Sequence, residues 1–195
     1  ASSVIRPEDR VYEGKTIAEI AEMQGTLWEM THEQSGAKLC WLQRADENMT
    51  FAIAFRTIPT DSTGVFHILE HSVLNGSDKY PVKEPFVELL KSSLQTFLNA
   101  MTYPDKTVYP VSSRNKQDFH NLMDVYMDAV LHPLAVKMPN VFRQEGWRLE
   151  FDEQGEPMFQ GVVYNEMKGA YSDVTRMAER AMMAGLYPDT CYAME

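Results

Sequence analysis

The apolar positions of this chain follow two rhythms, and the switches between them mark out its elements. Residues 1–22 are mostly polar with only a short apolar periodicity, so 1–24 read as an irregular N-terminal arm. From Gly25 onward, short apolar runs at 27–31, 38–42 and 50–56 are separated by the turn-forming clusters Gln34-Ser35-Gly36 and Asp46-Glu47-Asn48. In the third run Phe51, Ile53 and Phe55 alternate with smaller or polar residues, the period of a strand with one preferred face. The rhythm then lengthens. Asp61-Ser62-Thr63 offers N-cap side chains and Asn75-Gly76 a left-handed end, which predicts a helix over 64–74. A second helix is predicted from Glu84-Pro85 through Phe86, Leu89 and Leu90 to Ser92.

Strands are predicted at 96–101 and 107–111, on either side of the turn signal Tyr103-Pro104-Asp105. Helical spacing returns at Asn115, with Phe119, Leu122, Met123, Tyr126, Met127 and Val130 three and four apart, and stops at His132-Pro133. A helical stretch at 139–145, a strand at 147–151 and one long helix over 161–185 complete the pattern. Strands, helices, strands and helices in that order predict an α+β fold, an antiparallel sheet covered by helices.

Composition narrows the classes. A chain of 195 residues, 44% hydrophobic and 24% charged, can bury a core, and it holds no apolar run of the ~18–20 residues that a membrane span needs. The first residues lack a basic-then-apolar signal sequence. A formal net charge of −10 argues against nucleic acid as a partner; it fits either a solubilising surface or a negative potential that gathers basic peptides. Cys40 and Cys191 are too few and too far apart for a disulfide framework, as expected in a reducing compartment.

The first long helix carries the chemistry. His67-Ile68-Leu69-Glu70-His71 has the form H-x-x-E-H. At about 100° per residue, His71 lies about 40° from His67, and Glu70 about 60° to its other side. The three therefore share one helix face, where two imidazoles can bind one zinc ion and a carboxylate can take a proton from water. His32, His120 and His132 have no partner at ligand spacing and read as structural or exposed. Val162, Val163, Glu166, Gly169, Ala170 and Asp173 recur on one helical face, and the small Gly169 and Ala170 would let another helix approach just beyond Glu166.

The company of the motif is more specific. The segment from Gly64 to Gly76 is followed by Lys79-Tyr80-Pro81, by Glu84-Pro85-Phe86 and by Thr96-Phe97-Leu98-Asn99-Ala100-Met101-Thr102. Later come Gln144-Glu145-Gly146-Trp147-Arg148-Leu149-Glu150 and the run from Gly161 to Ala170 that contains Tyr164-Asn165-Glu166-Met167-Lys168. Together these resemble the presequence-protease subfamily of the insulysin/pitrilysin metallopeptidases (inverted zincins) over roughly residues 25–195.

The resemblance implies the family's two-layer α/β metallopeptidase domain over 25–195, incomplete at its C-terminus, as the N-terminal catalytic part of a longer protein. It implies one Zn²⁺ held by His67, His71 and Glu166, with Glu70 as the catalytic base. It further implies that Asn99 and Ala100 receive the peptide substrate as an added β-strand, and that Leu74, Phe86 and Leu90 form an apolar pocket for the residue before the cut bond. Asp173, two turns beyond Glu166, is a candidate to orient a ligand.

The activity so implied is a zinc-dependent endopeptidase that degrades unstructured peptides of moderate length, with the remaining domains of the full-length chain as partners. Those domains would supply an Arg and a Tyr to the site, so this piece alone is expected to cleave weakly or not at all. Its open strand edge leaves room for self-association. The expected location is the cytoplasm of a bacterial-type cell, the alternative a mature organellar enzyme. The competing function is a non-catalytic peptide-binding or assembly module of the same superfamily; such modules usually lose members of the H-x-x-E-H set.

Overall fold

The computed structural model describes residues 12–82 and 85–194, without the side chains of 12–16, 85, 87 and 90. Glu84 and the first eleven residues of the expected arm thus lie outside the described residues, as does the side chain of Leu90.

The chain divides into two units at Glu47/Asn48. The first is a three-stranded antiparallel meander of β1 (Tyr12–Ile20), β2 (Gly25–His32) and β3 (Lys38–Arg44). Part of the arm expected to be irregular is therefore a strand. Its outer residues have no alternating pattern to announce it, but β1 runs antiparallel to β2 from Tyr12↔His32 to Ile20↔Gly25, with an irregularity between Thr16 and Ala18. Backbone pairing, which is blind to side-chain type, made this strand.

The second unit, 48–195, carries every residue expected to do chemistry. Its sheet has the order β4 (Met49–Arg56), β7 (Lys106–Ser113), β5 (Gln95–Leu98), and the short β6 (Met101–Thr102) also pairs with β7. Because β4 pairs with β7 along its whole length, β5 and β6 lie end to end on its other side. They form one interrupted edge strand. Pro110 in β7 explains the interruption. The Asn99 N–H donates to the Pro110 carbonyl at 3.2 Å, but proline has no N–H to return. The Asn99 carbonyl instead accepts the Tyr126 hydroxyl at 3.2 Å.

One face of this sheet holds the core. Leu98, Tyr109 and Val111 pack with Val73, Leu122 and Tyr126, and Phe51 and Ile53 lie against them. The helices that supply the other side are α1 (Val65–Val73), α2 (Pro85–Ser92) and α3 (Lys116–Leu131). Asn115 caps α3 by accepting the Asp118 N–H at 3.0 Å, as its place before the periodic run predicts. The α1 cap differs from expectation. Asp61 closes a local turn onto the Thr63 N–H, and the helix starts after Gly64 with no side-chain cap. Its far end follows the prediction, with Gly76 at φ 106°.

The hairpin β8 (Arg148–Phe151) and β9 (Pro157–Gln160) joins α4 (Pro139–Glu145) to α5 (Val162–Ala170), and α6 (Val174–Leu186) follows. The expected single helix over 161–185 is thus two, broken at Tyr171-Ser172-Asp173, where the Asp173 carboxylate accepts the Arg176 N–H and caps α6. The close approach expected at Gly169 is also elsewhere. A Cβ on Gly169 would meet nothing within 4 Å, whereas one on Gly161 would lie 2.4 Å from the Gly146 carbonyl oxygen and 2.8 Å from the Trp147 Cα. Contact between α5 and its neighbour is made at the helix entrance, backbone to backbone.

This yields a paired test of opposite sign. Gly161→Ala forces the α4–α5 backbone apart and is expected to lower unfolding stability by on the order of 2 kcal/mol or more. Gly169→Ala, in an open helical position, is expected to raise it by roughly 0.5–1 kcal/mol. Urea denaturation of the two variants against the parent reads both; equal effects would contradict the packing described here.

Candidate metal centre

Helix α1 turns His67, Glu70, His71 and its C-cap Leu74 toward one cleft, as the spacing requires, while Ile68 and Val73 go into the protein. Across from α1, α5 brings in Glu166. Its carboxylate oxygens lie 3.7 Å from His67 Nε2 and 3.3 Å from His71 Nε2. The imidazole rings stand edge to face with centroids 5.0 Å apart. Among the described residues these three form the single His/Cys/Asp/Glu group able to hold a metal ion, with one ligand atom of each inside a 4.8 Å span.

The donor set can be tested against an ion. Tetrahedral ligands at about 2.0–2.1 Å from zinc lie about 3.3 Å from one another. Of the two separations from Glu166, the one to His71 equals that value at 3.3 Å and the one to His67, at 3.7 Å, exceeds it by about 0.4 Å. Two imidazole nitrogens and a carboxylate, with the cleft open beside them, also match the three-ligand, one-open-position pattern of catalytic zinc.

His71 is held from behind by a residue that the sequence reading quoted but gave no role. Its Nδ1 lies 3.3 Å from Glu145 Oε2, and the other oxygen of Glu145 accepts the Asn75 amide at 2.7 Å. Glu145 is only 5% exposed. The hydrogen bond to Glu145 raises the His71 pKa, against its own burial, and the same bond holds the Glu145 carboxyl below its usual range. A carboxylate at Nδ1 keeps the proton on that nitrogen and leaves the Nε2 lone pair facing Glu166. Burial pushes His67 the other way, toward the neutral imidazole that a metal requires.

Glu70 is 6% exposed and accepts the Thr102 hydroxyl at 2.7 Å. Thr102 belongs to β6, and its hydroxyl is 3.5 Å from that of Thr107, which is 2.8 Å from that of Thr57. The carboxylate is therefore aimed from the edge of the sheet. Glu145, Asn75 and Thr102 all escaped the sequence reading. Glu145 and Thr102 sat inside quoted motifs, but nothing in a linear pattern says which side chain meets a helix 74 or 32 residues away.

The cleft is about 980 Å³. Its lining includes the metal triad, Glu70, Leu74, Phe86, Asn99 and Ala100, and so brings four of the five expected substrate residues together. Leu74, Phe86 and Ala100 also pack on the core, so they are wall and support at once. Asp173 caps α6 and takes no part in the hydrogen bonds that orient the ligands; Glu145 has that place. His32 bonds Ser35 and His132 bonds Asp128. Both cysteines are free thiols, and no described helix is long and apolar enough to cross a membrane.

The comparisons with known proteins agree with this geometry. The chain is 54% identical over 191 residues to Protein HypA of Clostridium perfringens, an alignment covering 96% of the chain and 20% of that protein. It is 50% identical over 177 residues to Presequence protease 1, chloroplastic/mitochondrial, of Arabidopsis thaliana (90% and 16%), and 44% identical over 182 residues to the mitochondrial presequence protease of Mus musculus (91% and 17%). The chain thus spans between 16 and 20% of the length of these curated relatives. The crystal structure of pitrilysin shares the fold, with a TM-score of 0.55 at 22% identity over 68% of this chain and 15% of its own. Residues 56–157, which contain the H-x-x-E-H helix and Glu145, match the family described as Insulinase (Peptidase family M16). The chain belongs to the insulinase family of peptidases.

Proposed function

We propose that this chain supplies the zinc-binding and proton-transferring part of an endopeptidase acting on unstructured peptides, the activity belonging to the longer protein that its relatives' lengths imply. The observation that carries the reading is the convergence of His67, His71 and Glu166 within one small span, with the buried Glu70 on the same helix face. His67, His71 and Glu166 would hold one Zn²⁺. When bound, zinc would supply Lewis acidity toward a peptide carbonyl.

The remaining steps fall to the chain. Glu70 takes a proton from the attacking water and passes it to the leaving amine. Thr102, as a donor to Glu70 Oε2, holds that carboxylate in place. Glu145 fixes the tautomer and ring orientation of His71. The edge strand β5–β6 has no strand partner on its outer side among the described residues, and it runs past Glu70 through Thr102. A peptide added there as a further strand would be held by its backbone, which suits broad side-chain tolerance. Leu74, Phe86 and Leu90 would flank the residue before the cut bond.

All of this machinery lies in 48–195, within the 25–195 stretch assigned to the catalytic domain. Free Cys40 and Cys191 fit a reducing compartment such as the bacterial cytoplasm; the similarity to organellar presequence proteases keeps an organelle as the other location. That all four chemistry-bearing residues are present favours the enzyme over a non-catalytic module.

Three measurements on the full-length protein check these assignments. Glu70→Gln is expected to keep its zinc and lose peptidase turnover by on the order of 10²-fold or more; near-parental turnover would place the base elsewhere. Glu145→Gln, acting through His71, is expected to weaken zinc affinity by about 10–100-fold, read by competition with a chelator. If strand addition holds the substrate, N-methylation of alternate backbone amides in a peptide is expected to raise its KM, and methylation of the intervening amides to matter far less.

A further inference from the structure

Helix α6 stands in the cleft wall with no buried residue and with charged side chains on the face toward the cleft. Arg176, Glu179, Arg180 and Met183 line the cleft, at the i, i+3, i+4, i+7 spacing of one helix face. Val174 and Met177, on the other side, are exposed among the described residues. A helix ordinarily turns its apolar stripe to the protein and its charges to bulk water. Here the charged face meets the space beside the metal triad.

The charges on that face differ in what they are bound to. The Arg180 guanidinium donates to the Tyr171 hydroxyl at 2.8 Å and stacks over the Tyr171 ring. Arg176 donates its backbone N–H to the Asp173 cap, and its guanidinium has no hydrogen-bond or ion-pair partner among the described residues. Helix stability does not explain it. Arg176 sits in the first turn of α6, where the helix dipole disfavours a cation, and the Asp173 cap at that end engages the Arg176 backbone N–H rather than its guanidinium. The charge balance of the cleft sharpens the contrast. Glu70, Glu145, Glu166 and Glu179 line it, against Arg176 and Arg180 as the only lysine or arginine side chains. Of the two guanidinium groups in the cleft, Arg180 is engaged by Tyr171, and Arg176 is the one left to meet a negatively charged group of a peptide.

We infer that Arg176 is a specificity residue, which anchors a carboxylate of the bound peptide through its planar pair of N–H donors. The inference rests on the peptidase reading of the site and adds to it a preference. Among peptides that fit the cleft, those bearing a carboxylate within reach of α6 bind more tightly. That carboxylate belongs either to the peptide C-terminus or to an Asp or Glu side chain. Arg suits either, because its fork matches a carboxylate with two parallel hydrogen bonds.

The test measures peptide affinity by fluorescence anisotropy in the full-length, zinc-loaded Glu70→Gln protein, where turnover does not interfere. The probes are one fluorescent peptide with a free C-terminus and one internal Asp, its C-terminal amide, its Asp→Asn analogue, and the peptide with both changes. Adding Arg176→Gln is expected to raise Kd about tenfold for the parent peptide and less than twofold for the doubly neutral one. Arg176→Lys is expected to recover part of the difference, since it keeps the charge and loses the fork. Loss of the Arg176 effect on amidation identifies the terminal carboxylate, and loss on Asp→Asn the side chain. An equal change for all four peptides, or no change for any, overturns the assignment. Failure of the wild-type protein to cleave the parent peptide, with the Kd differences intact, would instead overturn the peptidase reading and leave the anion anchor standing. If no peptide binds at all, both fall.

Discussion

The site depends on one backbone contact, the approach of Gly161 to Gly146. The carbonyl of Gly146 lies where a Cβ of residue 161 would have to be. Glu145 is the residue just before Gly146, and Glu166 lies a little over one helical turn after Gly161. The contact therefore sets two carboxylates on either side of His71, one at Nδ1 and one at Nε2, both at 3.3 Å. Between Gly146 and Gly161 the chain makes the excursion β8–β9, which accounts for the wide sequence gap between two groups that serve the same imidazole. Separating the backbones at this point would pull Glu166 and Glu145 out of register together. Metal binding and histidine orientation are thus consequences of one steric fact rather than independent features.

A second constraint works on the opposite wall. Pro110, in the middle of the sheet, withholds one ladder hydrogen bond, so the edge strand cannot run straight through Asn99 and Ala100. Tyr126, buried in the core from α3, accepts the task of satisfying the Asn99 carbonyl, and the Ala100 N–H turns to the Asn99 side chain at 3.0 Å. The bend that results lets β6 resume two residues later with Thr102 pointing to Glu70. A residue type normally excluded from sheet interiors here breaks a strand at the place where the strand meets α1. Core packing and proton chemistry are linked through three residues, Pro110, Asn99 and Tyr126.

What could be read from the sequence follows from which forces are local. The α1 face with His67, Glu70 and His71 is a matter of 100° per residue and was legible without any structure, as were the return of helix at Asn115 and the α4 bounds. Glu166 could be set beside the two histidines only through the resemblance to a family; its helical face suggested proximity for the wrong reason, since a Cβ on Gly169 would meet nothing within 4 Å and Gly161 makes the approach. The break at Tyr171-Ser172-Asp173 was missed because helical periodicity continues across it, and Asp173 was read as a second-sphere group when its carboxylate is used by the nearest backbone. Glu145 and Thr102 were illegible on principle. Their roles arise where separate elements meet, and no periodicity encodes a meeting. The strand β1 was lost for a simpler reason: backbone pairing with β2 required no particular side chains.

The electrostatics of the assembled centre explain why it should be the metal that completes it. Glu70, Glu145 and Glu166 converge on two imidazoles in a partly buried wall, and burial holds His67 toward its neutral form. At most His71, raised by Glu145, would offset the carboxylates. Carboxylates gathered around one pair of imidazoles repel one another, and a fold selected for stability alone would not gather them. The arrangement becomes reasonable once a divalent cation is counted among its parts. The ion offsets the local negative charge, and its binding is then coupled to the stability of the α1–α4–α5 packing that presents the ligands. The same reasoning isolates Arg176. It is a cation at the rim of an acidic cleft, yet it binds none of the glutamates there, so its charge remains available to a ligand that comes from outside.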